Sequence, residues 1–268
     1  MKCPKCGKQI DNDSRFCEYC GAKIEKSKRG LWITLGVILL SVCIGVLGVY
    51  VYESLQRIEA ENSLRETPVE TTDGHEWVDL GLPSGTKWAA TNVGANTPEG
   101  YGNYYAWGET TTKSTYNWST YKWCNGSYDT QTKYCTDSYY GRVDNKTTLD
   151  LSDDAAYVNW GGSWRMPTKA EQDELRNTSY TTWTWTTLNG VRGYIVTSKI
   201  NANSIFLPAA GCRSDSSLNH AGSRGNYWSS SLYTSDSGYA YNLYFNSSDV
   251  DWNYSYRYYG QSVRPVLR

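Results

Sequence analysis

Histidine is nearly absent, with two residues in 268. His75 falls at the edge of a domain and His220 in a loop after Leu218. Neither stands beside an evident nucleophile, so the chain offers no histidine-based acid–base or nucleophilic arrangement. An excess of one charge is also lacking: the formal net charge is −1, which argues against nucleic acid as the main partner. Long apolar runs are scarce, and only the stretch from Leu31 to Tyr52 qualifies. Cysteine is sparse in the C-terminal part, where only Cys124, Cys135 and Cys212 occur after residue 73.

What is present is segregated. Residues 1–29 carry 8 Lys and Arg against 4 Asp and Glu, and residues 53–73 carry 2 against 6. Residues 74–268 are nearly balanced, at 16 against 17, and hold 11 of the 12 Trp and 21 of the 24 Tyr. Together with abundant Gly, Ser, Thr and Asn, this composition fits a loop-heavy domain with short strands. That domain is long enough to bury a core.

The run LWITLGVILLSVCIGVLGVYVY has no charge in 22 residues. As a helix it is roughly 33 Å long, enough for a hydrocarbon core of about 30 Å. Trp32 at one end and Tyr50 and Tyr52 at the other suit interfacial anchors. A cleaved signal peptide fits less well, because a complete module precedes the run and no small-residue cleavage site follows. Lys26, Lys28 and Arg29 flank the N-terminal side and Glu53 the other. The positive-inside rule therefore predicts a cytoplasmic N-terminus and a C-terminal domain in the periplasm or outside the cell.

Residues 1–24 contain two CxxC pairs, Cys3/Cys6 and Cys17/Cys20, each followed by Gly. Four thiolates at this spacing fit a closed tetrahedral structural zinc site. The segment is too short to fold on a core alone, so metal binding must supply its folding energy. A reducing cytoplasm disfavours two disulfides there. The segment resembles zinc-ribbon modules at the N-termini of bacterial membrane proteins, all four ligand positions matching. That resemblance implies a structural Zn²⁺, no open coordination position and no catalysis. A cytoplasmic protein partner for the ribbon is the alternative role, while the thiolate charge offsets Lys2, Lys5, Lys8, Arg15 and Lys23 and disfavours nucleic acid.

The predicted organisation is a zinc ribbon at 1–24, a basic juxtamembrane segment at 25–30, a transmembrane helix at 31–52, an acidic linker at 53–73 and an outer domain at 74–268. The first part of the linker can extend the membrane helix, and Pro68 with the following VETTD predicts a flexible spacer. In the outer domain Trp77–Leu80 predicts a strand, Pro83–Gly85 a turn, and Lys87–Ala89 a second strand. The stretch to about Asn145 predicts long loops. Thr168 and Glu171 form a capping box that predicts a helix over Lys169–Asn177. GYIVTS, SIFLPAAG, YAYNLYF and SVRPVL predict strands.

The strings WVDLGLPSGTKWA, YYAWGET, WRMPTKAEQDEL, SIFLPAAG, YWSSS and GQSVRPV resemble the Fibrobacter succinogenes major paralogous domain family. That family is similar to the C-type lectin-like fold and, more distantly, to formylglycine-generating enzymes. The resemblance covers residues 75–268. It implies an α+β, C-type lectin-like domain with short strands and long loops, whose terminal strands, here WVDL and SVRPV, pair.

Residues 226–259 contain 9 Tyr, 8 Ser and 4 Asn among 34, the residue menu of antibody paratopes. Tyr239, Tyr241, Leu243 and Phe245 share one strand face, most easily the core. The run from Asp249 to Tyr259 has few aliphatics. It nominates Asp249, Asp251, Trp252, Asn253, Tyr254, Tyr256, Arg257 and Tyr259 as a face for a glycan, peptide or protein ligand. The acidic-Pro-Asn and Trp-Asn-Asp strings of calcium-dependent lectins are absent, which disfavours calcium. The cysteine pair that the resemblance would require near the C-terminal end of a formylglycine-generating enzyme is missing too. Cys124 and Cys135 are read as either a loop-closing disulfide or two free thiols. Glu99 with Glu109, and Asp153 with Asp154, are acid pairs that nothing distinguishes from loop acids. The expected role is recognition without catalysis, with a signalling or structural scaffold as the rival.

Overall fold

The computed structural model describes residues 1–24 and 29–267, with the side chains of 29–46 outside that description. The chain divides into two compact units, one of residues 1–54 and one from Leu55 onward. The predicted span at 31–52 lies mostly outside the described side chains. Its backbone belongs to helix α1 (Arg29–Glu66). Among the described residues, no helix is long and apolar enough to cross a membrane.

In the first unit the two CxxC pairs form matching knuckles. Gly7 N–H donates to Cys3 O and Gly21 N–H to Cys17 O, both glycines at positive φ, which lets each turn close tightly. Short antiparallel bridges, Lys2 with Gln9 and Phe16 with Lys23, pin the base of each knuckle. Ile10 and Ile24 are the buried aliphatics, packed with Cys3 and Cys17.

The second unit is a mixed α and β domain of several small antiparallel sheets and few helices. One sheet has the order β1 (Glu70–Thr72), β2 (His75–Asp79), β3 (Lys87–Ala89) and β12 (Val266–Leu267). The two ends of the domain therefore share a sheet, but β3 lies between them. The predicted direct pairing of WVDL with SVRPV is corrected on that point: Val266 pairs with Trp88, and Trp88 with Val78. A second sheet holds β4 (Thr181–Leu188), β5 (Val191–Ser198) and β6 (Ser204–Pro208); a two-stranded ribbon joins β7 (Cys212–Ser214) to β8 (Ser217–Asn219). The third large sheet has the order β11 (Val250–Tyr256), β10 (Tyr239–Phe245), β9 (Gly225–Leu232).

The segment expected as a flexible spacer is ordered, which corrects that reading. Helix α1 runs to Glu66, and residues 70–72 add a strand to β2. The last turns of the helix pack on the β5–β6 hairpin, where Ala60 and Leu64 meet Ile195 and Phe206. Ser63 Oγ donates to Ala202 O at 2.5 Å, and Thr67 Oγ1 accepts from Ser204 N at 2.7 Å. Polar composition read as a tether because these contacts come from residues about 140 positions away.

Helix α3 (Lys169–Arg176) has the predicted capping box, with Thr168 accepting from Glu171 N. A short helix α2 (Ala155–Trp160), capped by Asp154, was not anticipated. Glu171 does more than cap. Arg165 grips its carboxylate bidentately at 2.8 and 2.5 Å, Thr86 Oγ1 donates to it at 2.9 Å, and Glu174 takes Ser84 N at 2.9 Å. The WRMPT and LPSGT strings are thus halves of one staple.

Burial alone would raise the Glu171 pKa, but Arg165 and the Thr168 amide reverse this and hold it down at about 2. The folded value lies below the ordinary 4.5. The stabilisation is therefore complete above that value and drains away as pH falls from about 4.5 towards 2. Denaturant melts across this window are expected to show a loss of stability that is weaker in Glu171→Gln, which carries no titrating carboxylate at the staple.

Two arginines that pair with no carboxylate among the described residues anchor the interior. Arg264 donates to Asn92 Oδ1 and to the carbonyls of Ala89, Ala90 and Phe206, all within 2.8–3.0 Å. Burial pulls its pKa down to about 10, so it is charged at neutral pH. Arg257 is the second, and it bears on the site below.

Candidate functional site

The face nominated from the sequence is built on β10 and β11, whose register puts Tyr239 opposite Tyr256, Tyr241 opposite Tyr254, Leu243 opposite Trp252 and Phe245 opposite Val250. Directly opposed residues share a face, so all eight side chains project the same way. Phe245 and Leu243 are buried in the core, with Val250 packed against it. Tyr239 and Tyr241, expected in the core, are half-buried instead. They join Trp252, at 37% exposure, and Tyr254, at 42%.

The rings form one continuous stripe. Trp252 meets Tyr241 at 5.5 Å, Tyr241 meets Tyr233 at 5.3 Å, and Tyr233 stacks on Tyr254 at 4.3 Å and 9°. Tyr254 meets Tyr239 at 5.4 Å, and Tyr239 stacks on Tyr256 at 4.4 Å. From Tyr256 the stripe reaches Trp118, Tyr128 and Tyr258, then passes through Tyr140 to Tyr139, which is 71% exposed. Burial, then Tyr256, raises the Tyr239 pKa; burial, then Asp236, raises that of Tyr128. The phenols of Tyr239 and Tyr128 are therefore protonated donors at neutral pH.

Ring orientation decides what the stripe offers. Tyr256 stacks on both Tyr239 and Tyr258, and Tyr254 stacks on Tyr233. Lys169 sits 4.9 Å from the Trp252 ring centroid. Tyr256, stacked on both sides, has only its edge and hydroxyl left for further contact. Such a surface contacts a partner by packing and hydrogen bonding more readily than by stacking one flat ring per sugar.

The edge of β11 is blunted. Asp251 Oδ1 accepts from Trp252 N at 2.7 Å and Asn253 Oδ1 from Tyr254 N at 2.8 Å. Side chains thus cover backbone donors that an added strand would need.

The structure separates the nominated residues. Trp252, Tyr254 and Tyr256 come together on the stripe. Asp251 and Asn253 alternate to the opposite side of β11, Asp251 pairing with Arg176 at 3.1 Å. Asp249 is exposed in the turn before the strand. Tyr259 packs at the stripe's end against Tyr256 and Tyr258. Arg257 is corrected: it is fully buried, donating to Tyr121 Oη, Tyr134 O, Ser237 O and Lys133 O. Its side chain turns inward where β11 ends, so it touches no ligand on this face.

Tyr233, Trp118, Tyr128, Tyr139 and Tyr140 were missed. Tyr233 lies within the Tyr-rich stretch 226–259 already singled out, and the signal for the other four was the same Tyr-rich, Ser- and Asn-containing composition in the loop from Tyr116 to Tyr140. The acid pairs have structural roles. Asp154 caps α2, Asp153 pairs with Lys133, and Glu109 pairs with Lys113. Cys124 and Cys135 are free thiols, both buried.

The second candidate is the cysteine cluster. The four Sγ atoms of Cys3, Cys6, Cys17 and Cys20 lie within 4.8 Å of one another. Cys3 to Cys20 is 3.7 Å and Cys6 to Cys17 is 3.6 Å. A metal–sulfur bond of about 2.3 Å puts tetrahedral sulfurs about 3.8 Å apart, so the donors fit Zn²⁺. The Cys6 amide draws Cys3 down to about 6, whereas Cys20, despite the Ala22 amide, is pushed up to about 12 by burial and the other sulfurs. Four thiolates this close need a cation to ionise together.

No curated protein and no solved structure matches the chain. The zinc-ribbon domain family matches residues 2–24.

Proposed function

We propose that this chain is a membrane-anchored recognition protein. A cytoplasmic ribbon holds one structural Zn²⁺, residues 31–52 span the bilayer, and a C-type lectin-like domain outside the cytoplasm binds a glycan, peptide or protein. The observation that carries this reading is the half-exposed ring stripe from Trp252 to Tyr139, which has the amphipathic contact chemistry of a paratope. Its outward phenol edges favour a polypeptide partner over a glycan. The uncharged run at 31–52 and the basic flank at 26–29 support the topology.

An array screen of the full zinc-loaded chain in detergent, carrying glycans and envelope proteins, tests it. A saturable binder is expected, with Trp252→Ala and Tyr254→Ala each raising Kd at least about tenfold, as central aromatic anchors do. Thermal melting should place both variants within about 1 kcal/mol of the parent. A screen with no binder, or one whose binder ignores both substitutions, contradicts the proposal.

A further inference from the structure

A separate groove of about 510 Å³ opens beside the N-terminal strands of the outer domain, lined by residues that include His75, Glu76, Asn96, Asn103, Asn159 and Trp160. This volume suits a small ligand or a single side chain. The lining contains no Lys or Arg, so it supplies no cationic partner for an anion.

The donors are largely committed inward. Asn159 Nδ2 donates to Thr110 O at 3.0 Å and to Ala155 O at 2.7 Å, and Asn103 Nδ2 donates to Tyr105 Oη at 3.3 Å. Each amide keeps its carbonyl oxygen as an acceptor. Glu76, exposed on β2, adds the groove's carboxylate. His75 lies flat on Trp160, with centroids 3.8 Å apart and planes 3° from parallel, a two-layer stack in which each ring covers one face of the other and keeps its second face. Burial lowers the His75 pKa, with Asp73 opposing more weakly, so the imidazole is neutral near pH 7.

We propose that this groove binds a guanidinium group, with the Glu76 carboxylate as its ion partner, the asparagine carbonyls as further acceptors and the outer ring face of the stacked His75–Trp160 pair as its π surface. The reason is complementarity: acceptors, one negative charge and a flat π surface match a planar cation bearing five N–H donors. The site is independent of the ring stripe.

Calorimetric titration of the full zinc-loaded chain with N-acetylarginine amide tests it. Parallel titrations use free arginine, N-acetyllysine amide and N-acetylcitrulline amide, the last a neutral near-isostere. Saturable binding of an arginine probe is expected, with the citrulline probe silent and the lysine probe at least about tenfold weaker. Tighter binding of free arginine marks a free metabolite as the source of the group, and tighter binding of the blocked amide marks a polypeptide side chain. Glu76→Gln, isosteric and solvent-facing, should weaken binding about tenfold or more without shifting the melt. Tyr254→Ala should leave it unchanged, which separates this site from the stripe. Equal binding of the citrulline or lysine probe, no effect of Glu76→Gln, or no saturation by either arginine probe overturns the assignment.

Discussion

Removing zinc is expected to unfold residues 1–24 and leave the unit from Leu55 onward folded. The ribbon's buried aliphatics are Ile10 and Ile24, packed with the cysteines themselves. Every ordered residue loses backbone entropy on folding, which two buried isoleucines cannot offset over 24 residues. Structural zinc in such modules contributes about 10–16 kcal/mol at neutral pH. The second unit has its own clusters around Trp88, Leu207 and Phe245 and around Trp107 and Trp228. Hydrogen exchange with and without a strong chelator measures both at once. Protection should collapse at Cys3–Ile24 and persist in β5, β6 and β10, and Cys17→Ser should reproduce the chelated pattern. Retained protection of the ribbon after verified metal removal would show that it folds without the ion.

The second large effect is expected at Arg257. Arg257→Ala removes a buried cation from beneath the loops that carry the stripe. It removes the donor to the carbonyls of Lys133, Tyr134 and Ser237, and the Tyr121 hydroxyl keeps only its own bond to Trp107 O. It also removes the contact of the guanidinium with Trp107, 5.0 Å from the ring centroid. Orphaning a buried polar network and leaving a cavity costs about 3–5 kcal/mol. Arg257→Lys should recover only part, because one ammonium cannot reproduce a fork that reaches oxygens on three segments. Chemical denaturation gives the free energies directly. A loss under about 1 kcal/mol would mean that the network adds little and that the stripe's loops are held by ring packing alone.

Much of the fold was legible where local chemistry sets it. The Thr168–Glu171 capping box gave α3 nearly to the residue, and YAYNLYF gave β10 with its exact ends, because capping and period-two alternation act over a few residues. The docking of α1 on β6 was not legible, nor the insertion of β3 between the domain's end strands, since both depend on partners far away in sequence. At the site, composition identified Trp252, Tyr254 and Tyr256. It failed for Arg257 because a charge beside exposed tyrosines reads as surface, whereas strand geometry turns it inward. It also missed Tyr128 and Tyr139, which the fold carries to the stripe from a loop more than a hundred residues earlier.

The claim on which the functional account rests is that the ring stripe is a contact surface in the cell envelope. Site-specific photocrosslinking in intact cells, with the crosslinker placed in turn at Trp252, Tyr254, Tyr139 and Ile200, tests it most directly. Ile200 is also exposed, at 53%, but lies apart on the β5–β6 turn. One discrete adduct shared by the three stripe positions and absent at Ile200 is predicted. No adduct at the stripe, or the same adducts at all four positions, would contradict it.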